Sequence, residues 1–316
     1  MMNGDSRKVV LIGTGSVGMS YAYSILNQGL IDELVLIDIN QDKVEGEVMD
    51  LNHGLAYAPR PIKIYGGDYK DCEHADLVVI TAGLPQKPDE TRLDLVHKNA
   101  KIMRDIVEKI MSYHFKGIIL VASNPVDIMT YVVYKASGLP RTRVFGSGTS
   151  LDTARLRYLL SNYFAINSKN IHAYVLGEHG DSEFVPWSNS YVGIKPLLDL
   201  VSENPRYKLS DLEQISHDVC NAAYQIIEKK QATFYGIGIA LSYITRAIFS
   251  NSNSIIPVSA YLDNYYGIKD VYIGIPAVIT RDGIREVMTF NMSKSDQQLF
   301  IKSANILKEQ ISKLNL

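Results

Sequence analysis

A glycine-rich turn near the start of the chain has the spacing of a dinucleotide-binding site. Gly13, Gly15 and Gly18 directly follow the apolar run Lys8–Ile12 and open a helix-length segment. In this arrangement Gly13 permits a tight turn, Gly15 lets the backbone approach a pyrophosphate, and Gly18 lets helix and strand pack closely. The helix, beginning near Val17, would face the phosphates with free N–H groups and its positive dipole end.

An acidic residue at the end of the next predicted strand indicates which dinucleotide would bind. Asp38 would accept hydrogen bonds from the hydroxyl groups of an adenosine ribose. Its charge would repel a 2′-phosphate, and the next residues, Ile39 and Asn40, supply no cation to offset this repulsion. The alternative is a glycine turn in another kind of α/β protein, with an Asp that only caps a strand. In this context the pattern predicts NAD rather than NADP.

His179 is the side chain best suited to carry a proton. Imidazole titrates near neutral pH, and His179 lies in the polar, glycine-flanked loop Gly177–Asp181 rather than on an apolar face. Without further context, a single loop histidine is more often a solvated side chain. The residue alone therefore leaves both interpretations open.

Four segments resemble the L-lactate dehydrogenases of bacterial type in the lactate/malate dehydrogenase superfamily. The segments are Gln86–Leu95, Ser123–Asp127, Gly148–Arg155 and Gly177–Ser182. The resemblance runs from about Lys8 to the C-terminus. It implies reversible hydride transfer between NAD and a 2-hydroxy/2-keto acid pair, in which His179 exchanges the hydroxyl proton. It also implies a homotetramer.

The same resemblance assigns roles to charged residues around the histidine. Asp152 would hold the imidazole in the productive tautomer and stabilise its protonated form. Arg155 should share a helix face with Asp152 and would anchor the substrate carboxylate through its planar guanidinium. Arg92 would polarise the substrate carbonyl from a stretch that looks like a lid closing over the substrate. The alternatives are a helix-end acid for Asp152 and surface salt bridges for both arginines.

Two further positions match residues that touch cofactor or substrate in the family. Asn124 resembles an asparagine beside the nicotinamide ribose and the substrate, although Asn–Pro at a strand end is also an ordinary turn signal. A cis peptide bond before Pro125 would fit there. Thr233 matches a residue that lines the pocket for the methyl end of the substrate.

Gln86 favours pyruvate over oxaloacetate as the keto acid. Related malate dehydrogenases carry an arginine at this position, which pairs with the second carboxylate of oxaloacetate. The neutral Gln86, if it points inward rather than into solvent, would leave that carboxylate buried without a partner. Asp89 and Gln231 stand where glycine is common in the family, so a broader 2-hydroxy acid dehydrogenase is an alternative, as is a malate dehydrogenase.

A non-catalytic NAD-binding protein on the same fold is the alternative of a different class. The discriminating feature is the set of charged side chains expected to do chemistry. A protein that had lost its activity would be expected to lack at least one of them. The set is complete in this chain, and it comprises His179, Asp152, Arg155 and Arg92.

Arg157 and His172 suggest a regulatory site. They match the residues that bind fructose 1,6-bisphosphate in allosteric bacterial members of the family, where each pair meets its copy across a subunit interface. A bisphosphate would neutralise these basic clusters and favour the assembled, substrate-competent state. The alternative is a helix-surface arginine and a solvent-facing strand histidine. We expect the bisphosphate to lower the apparent KM for pyruvate.

The overall composition excludes several other classes of protein. The 316 residues are 46% hydrophobic and 21% charged with a net charge of -2, so no basic excess points to nucleic acid. The two cysteines, Cys72 and Cys220, are far apart and in no metal-like spacing, which predicts neither a disulfide framework nor a metal site. With no apolar segment near the N-terminus and no membrane-length apolar run, we expect a cytoplasmic protein.

The elements that must position these residues follow an α/β pattern. In the first half, strands alternate with helices, which predicts a doubly wound parallel Rossmann sheet. The predicted strands are Lys8–Ile12, Glu33–Asp38, Ile62–Tyr65, Asp76–Thr81, Gly117–Ser123 and Val144–Phe145. The predicted helices are Val17–Gln28, Asp42–Leu51, Leu93–Ser112 and Asp127–Ala136.

After about Gly146 the pattern changes to that of a substrate domain of the lactate/malate dehydrogenase type. The predicted helices there are Leu151–Tyr163, Leu209–Lys229 and Ser293–Leu314, and the predicted strands are Ile171–Leu176, Val258–Tyr261 and Val271–Ile279. The expected organisation is an NAD-binding domain over residues 1–146 and an α/β substrate domain over 147–316. The active site should lie between them, at the carboxyl ends of the parallel strands.

Overall fold

The computed structural model describes residues 7–84 and 92–314. The strands are β1 (Lys8–Ile12), β2 (Glu33–Ile37), β3 (Lys63–Gly66), β4 (Leu77–Ile80), β5 (Ile118–Val121), β6 (Val144–Gly146), β7 (Ile171–His172), β8 (Tyr191–Val192), β9 (Lys195–Pro196), β10 (Ser254–Tyr265), β11 (Ile268–Thr280) and β12 (Gly283–Val287). The helices are α1 (Ser16–Gln28), α2 (Gln41–His53), α3 (Arg92–Ser112), α4 (Val126–Ser137), α5 (Ser150–Phe164), α6 (Leu197–Glu203), α7 (Leu209–Lys230), α8 (Tyr235–Ser250) and α9 (Lys294–Ser312).

The first six strands form the predicted doubly wound sheet. Their spatial order is β3-β2-β1-β4-β5-β6, and all neighbours in this part are parallel. The strands β4 and β5 consist only of Val, Ile and Leu and are buried throughout, because helices cover both faces of the sheet. The strand order reverses between β1 and β4, so the loops after these strands diverge and leave a cleft at the carboxyl edge.

The same sheet continues into the second half of the chain. Strand β10 pairs antiparallel with β6 through Ser259 and Gly146, and β11 and β12 follow it at the edge. The predicted antiparallel strands are confirmed, and both are longer than expected. A separate small sheet, β7-β8-β9, packs with α5, α6 and α7 around a second apolar core. The first core runs through both halves of the chain.

The strand predicted over Ile171–Leu176 is wrong beyond His172. Side chains of α5 take the backbone groups that a neighbouring strand would need. The hydroxyl oxygen of Thr153 accepts a hydrogen bond from the nitrogen of Val175 at 2.9 Å, and Nε of Arg157 donates to the oxygen of Ala173 at 3.0 Å. The segment is therefore held against a helix rather than in a sheet, a contact between distant residues that local apolar content does not reveal.

Helix α8, which the sequence pattern did not single out, packs against α1. A Cβ on Gly238 would lie 2.7 Å from the backbone of Ser20, so the two helices touch closely. The hydroxyl groups of Tyr21 and Thr245 are 2.9 Å apart across the same interface. Helix α8 thereby supports the helix that begins in the glycine turn. Within the described residues, no helix combines the length and apolar content needed to cross a membrane.

Candidate active site

The glycine turn lies between β1 and α1 with the geometry expected of a pyrophosphate cradle. Gly13 has φ +102°, and a Cβ there would lie 2.6 Å from the nitrogen of Ala82. A Cβ on Gly18 would lie 2.1 Å from the oxygen of Gly13. A Cβ on Gly15 would meet nothing within 4 Å. The fold itself therefore requires Gly13 and Gly18, whereas Gly15 faces open space of the kind a dinucleotide needs.

Asp38 lies just beyond the end of β2, at the edge of a cleft of about 760 Å³ that the glycine turn also lines. Its Oδ2 accepts hydrogen bonds from the nitrogen of Thr14 at 2.7 Å and from its hydroxyl at 3.0 Å. Burial raises the pKa of Asp38, but these bonds, the Asn40 amide and the nearby Lys43 together lower it below its ordinary value. The carboxylate thus positions the turn and remains charged. Lys43 is a cation that the sequence argument did not consider.

The loop after residue 176 is anchored on both sides by backbone pairing. Leu176 pairs with Phe184 across the loop, and Gly177 exchanges hydrogen bonds of 3.0 and 2.9 Å with Gly274 on β11. A Cβ on Gly274 would lie 2.6 Å from the oxygen of Gly177, so only glycine permits this approach. The loop that carries His179 is therefore held rigidly against the central sheet.

His179, Asp152 and Arg155 form a continuous hydrogen-bonded group. The Nδ1 of His179 lies 2.6 Å from Oδ2 of Asp152, and Nη1 of Arg155 donates to Oδ1 of Asp152 at 2.8 Å. The Asp152 side chain is 2% exposed, whereas His179 keeps 27% of its side chain accessible. Because Nδ1 points to the carboxylate, the opposite nitrogen of the ring is the one available to a substrate. The predicted shared helix face of Asp152 and Arg155 is present.

The charges in this group favour a protonated imidazole. The Asp152 carboxylate raises the pKa of His179 to about 9, against the opposing effect of burial. Burial raises the pKa of Asp152, but His179 and Arg155 outweigh it and lower that pKa below its ordinary value. The pair therefore carries an imidazolium and a carboxylate at neutral pH, which is the arrangement a proton donor requires.

Asp127, in the first turn of α4, is a buried acid that the sequence analysis gave no role. Its Oδ2 accepts a hydrogen bond of 2.8 Å from the backbone nitrogen of His179, and its Oδ1 accepts one from the hydroxyl of Ser259. Burial raises the pKa of Asp127 to about 6, despite these bonds. In sequence, an acid in the first turn of a helix looks like ordinary helix-dipole compensation. Only the fold shows that it holds the loop that carries His179.

Glu183 is a second acid near the histidine that sequence reasoning missed. One ligand-type atom from each of Asp152, His179 and Glu183 lies within 4.8 Å of the others. Burial, followed by the charge of Asp152, raises the pKa of Glu183 strongly. The spacing of the three groups would also suit a metal ion, but Nδ1 of His179 is bonded to Asp152. No sequence signal separated Glu183 from the other polar residues of its loop.

Asn124 and Thr233, two further predicted site residues, lie where secondary-structure elements end. Asn124 follows β5, is exposed, and precedes a cis peptide bond to Pro125, as the sequence suggested. Its backbone oxygen accepts a hydrogen bond of 3.1 Å from Asn99. Thr233 lies in the short junction between α7 and α8, and Gly236, three residues further on, contacts Leu151 at the start of α5.

Three predicted positions belong to the stretch between β4 and α3. Gln86 and Asp89 lie outside the described residues, as does the side chain of Arg92, although the helix α3 begins at Arg92. Their assigned roles in substrate choice, lid closure and carbonyl polarisation remain predictions.

Arg157 and His172, the predicted bisphosphate residues, lie on α5 and β7, and a side-chain bond of Arg157 joins α5 to the end of β7. The Arg157 side chain bonds to the oxygen of Ala173 and lies 4.8 Å from the ring centre of Tyr174. His172, on β7, is exposed. The fold thus holds the Arg157 guanidinium against the segment that directly follows the exposed His172.

The fold and this constellation define an NAD-binding dehydrogenase, and comparison with known families agrees. The family model described as "lactate/malate dehydrogenase, NAD binding domain" matches residues 7–146. The model described as "lactate/malate dehydrogenase, alpha/beta C-terminal domain" matches residues 149–315. The chain belongs to the lactate/malate dehydrogenase family.

Individual relatives point to one branch of that family. An L-lactate dehydrogenase of Geobacillus sp. (strain WCH70) is 57% identical over 306 residues, covering 97% of this chain and 96% of the relative. The crystal structure of the lactate dehydrogenase MGS-M5, from a deep-sea metagenome library of the Medee basin, has a TM-score of 0.96 at 54% identity and covers 98% of this chain and 99% of that one. The minor L-lactate dehydrogenase of Enterococcus mundtii, in its ligands-bound form, has a TM-score of 0.97 at 46% identity, with coverage of 98% and 99%. These matches confirm the predicted fold class, the NAD cofactor and the predicted activity, that of an NAD-dependent L-lactate dehydrogenase.

Proposed function

We propose that the chain interconverts L-lactate and pyruvate with His179 as the proton carrier. The observation that supports this role is the 2.6 Å contact between Nδ1 of His179 and the buried Asp152. It fixes one ring nitrogen and leaves the other for the substrate oxygen. Bound NADH supplies the hydride, and His179 supplies the proton for the new hydroxyl group. Asp152 stabilises the imidazolium before transfer and orients the ring throughout.

The cofactor would be held by the glycine turn and Asp38. Gly13, Gly15, Val17 and Gly18 place backbone N–H groups at the start of α1, where a pyrophosphate is favoured by the helix dipole. Asp38 would accept from the adenosine ribose, and Asn124 would lie beside the nicotinamide ribose. The open space at Gly15 supports this placement, because no protein atom competes for it.

The substrate would be oriented at its two ends. Arg155 would bind the carboxylate: a guanidinium has five N–H donors, and its bond to Asp152 uses one of them. Thr233 and Gln86 would contact the methyl end, and Arg92 would stabilise the negative charge that develops on the carbonyl oxygen. A neutral Gln86 would disfavour oxaloacetate, because a second carboxylate would lack a partner.

The test of the proton carrier is the pH dependence of kcat/KM in both directions. Pyruvate reduction requires protonated His179, so it should be constant below the pKa of about 9 and fall above it. Lactate oxidation requires the neutral ring, so it should rise with pH through the same range. If both directions declined together at alkaline pH, His179 would not be the proton carrier.

The test of substrate choice compares kcat/KM for pyruvate, oxaloacetate and 2-ketoisocaproate. We expect pyruvate to be preferred by at least about tenfold, since a buried unpaired carboxylate costs more than ~1.4 kcal/mol. A preference for oxaloacetate would mean that a cation from another position in the chain reaches the pocket, in place of the neutral Gln86.

We further propose that Arg157 and His172 bind fructose 1,6-bisphosphate where subunits of a homotetramer meet. The supporting observation is that the Arg157 side chain bonds to the backbone of Ala173, directly after the exposed His172. The bisphosphate should lower the apparent KM for pyruvate and raise the mass measured by light scattering. Arg157→Gln should abolish both effects, whereas Lys169→Gln, on a nearby surface turn, should not. If fructose 1,6-bisphosphate changed neither the apparent KM for pyruvate nor the measured mass, this site would be excluded.

The remaining proposals concern organisation and location. We propose an NAD-binding domain over residues 1–146 and a substrate domain over 147–316, since parallel pairing ends with β6. We also propose that the protein works in the cytoplasm, which agrees with two unpaired cysteines. Limited proteolysis and subcellular fractionation test these two statements.

A further inference from the structure

Glu183 brings a second carboxyl group to the His179–Asp152 pair. The relevant atoms of the three side chains lie within 4.8 Å of one another. Asp152 is buried, and its two oxygens already bond to Arg155 and to His179. A carboxyl oxygen of Glu183 lies within 4.8 Å of this pair, close enough to act on the charge of Asp152. The site therefore holds two acids side by side, of which only one is bonded to cations.

Two carboxyl groups this close favour sharing one proton over carrying two negative charges. The negative charge belongs on Asp152, because that group bonds directly to Arg155 and His179. The proton then belongs on Glu183, whose pKa is raised by burial and by the charge of Asp152. A neutral Glu183 is a hydrogen-bond donor, and the Asp152 carboxylate beside it is an acceptor.

We propose that Glu183 is a positioning residue that donates a hydrogen bond to Asp152 and thereby weakens the hold of Asp152 on the His179 proton. The proposal rests on the function proposed above, in which His179 carries the proton. When Glu183 ionises at alkaline pH, the hydrogen bond is lost and a second negative charge faces the imidazole. His179 then keeps its proton to higher pH, so Glu183 extends the alkaline range of pyruvate reduction.

Other charged and titratable groups near Glu183 and Asp152 come from the elements that pack on the loop after residue 176. Among the described residues they are Asp127 on α4, Asp152 and Arg155 on α5, Cys220 on α7, and Glu178 and Asp181 in the loop itself. The cation of this set, Arg155, bonds to Asp152. Burial and the charge of Glu183 raise the pKa of Cys220 to about 11, so the thiol is neutral where His179 titrates. Glu183 is therefore the group that can change its charge within that range and beside Asp152.

The test is the pH profile of kcat/KM for pyruvate reduction, with each enzyme normalised to its own plateau. Glu183→Gln keeps an N–H donor for Asp152 but cannot ionise. In this variant the decrease of kcat/KM at alkaline pH should begin at a lower pH than in the wild type. Near pH ~9.5 its normalised kcat/KM should be about threefold to tenfold below that of the wild type. Asp181→Asn removes an exposed carboxylate of the same loop and should leave the profile in place.

A second variant separates the hydrogen bond from the charge. Glu183→Leu removes both the hydrogen bond to Asp152 and the ionisable charge, so Asp152 interacts more strongly with the His179 proton. The alkaline decrease of kcat/KM should therefore begin at a higher pH than in Glu183→Gln. A Glu183→Gln profile that coincides with wild type overturns the inference, whether or not the Leu variant folds. A wild-type enzyme without an alkaline fall, or an active His179→Asn variant, would instead refute the proposed function of His179.

Discussion

The proposed cofactor end and the proposed proton-transfer end of this site are built in different ways. The cofactor end comes from one continuous piece, β1–α1–β2, and depends on where a Cβ fits, as Gly13 and Gly18 show. The proton-transfer end comes from α4, α5 and the loop after residue 176, and depends on how charges are buried together. The difference teaches that a binding turn can be defined by local sterics, whereas proton chemistry requires acids brought from distant segments.

The largest expected effect separates the two ends by removing the proton carrier. His179→Asn should lower kcat/KM for pyruvate reduction by about 10²–10⁴-fold, because general acid catalysis is lost. NADH affinity, measured by fluorescence titration, should change by less than about threefold, since the glycine turn is untouched. A loss of NADH affinity comparable to the loss of activity would show that the two ends are not independent.

The next effect contrasts two glycines of the cofactor end. Gly18→Ala places a Cβ 2.1 Å from a backbone oxygen, so the free energy of unfolding should fall by about 1–3 kcal/mol or more, measured by urea titration without cofactor. Gly15→Ala meets no protein atom within 4 Å and should change stability by less than about 0.5 kcal/mol. It should nevertheless weaken NADH binding by about tenfold. Equal stability losses would contradict the assignment of Gly15 to the ligand.

A smaller effect tests electrostatics at the cofactor end. Asp38→Asn keeps an acceptor for Thr14 but removes the charge that repels a 2′-phosphate, and it leaves Lys43 to attract one. The ratio of kcat/KM for NADPH over NADH should rise by about tenfold, or ~1.4 kcal/mol. Asp42→Asn, in the first turn of α2, is the matched control and should leave this ratio unchanged. An unchanged ratio in Asp38→Asn would mean that cofactor choice is made elsewhere.

The smallest effect concerns the junction that carries Thr233. Gln231 ends α7 with φ +68°, a left-handed conformation that glycine adopts at less cost. Gln231→Gly should raise the free energy of unfolding by about 0.5–1 kcal/mol, seen as a higher Tm. Gly138→Ala, at the equivalent position of α4 with φ +64° and open space around it, should lower stability by a similar amount. A Tm that falls in Gln231→Gly would show that the Gln side chain holds the junction.

The sequence predicted the secondary structure of the β1–α1–β2 segment nearly completely. The strand Lys8–Ile12 has the same bounds in the structure, and the glycine spacing identifies the turn because each position has its own steric reason. The spacing of three residues likewise placed Asp152 and Arg155 on one helix face. The strand predicted beyond His172 failed because side chains of α5 take its backbone hydrogen bonds.

What the sequence determined by itself is therefore the local part: the β1–α1–β2 segment with its glycine turn, the NAD cofactor and the family, whose motifs then indicated the histidine and its partner acid. Only the tertiary structure decided that β10 joins β6 in one sheet, that Asp127 holds the backbone of His179, and that Glu183 lies beside Asp152. The physical reason is that pairing, burial and charge coupling join residues far apart in the chain. The protonation state of an acid depends on those neighbours, not on its own position in the sequence.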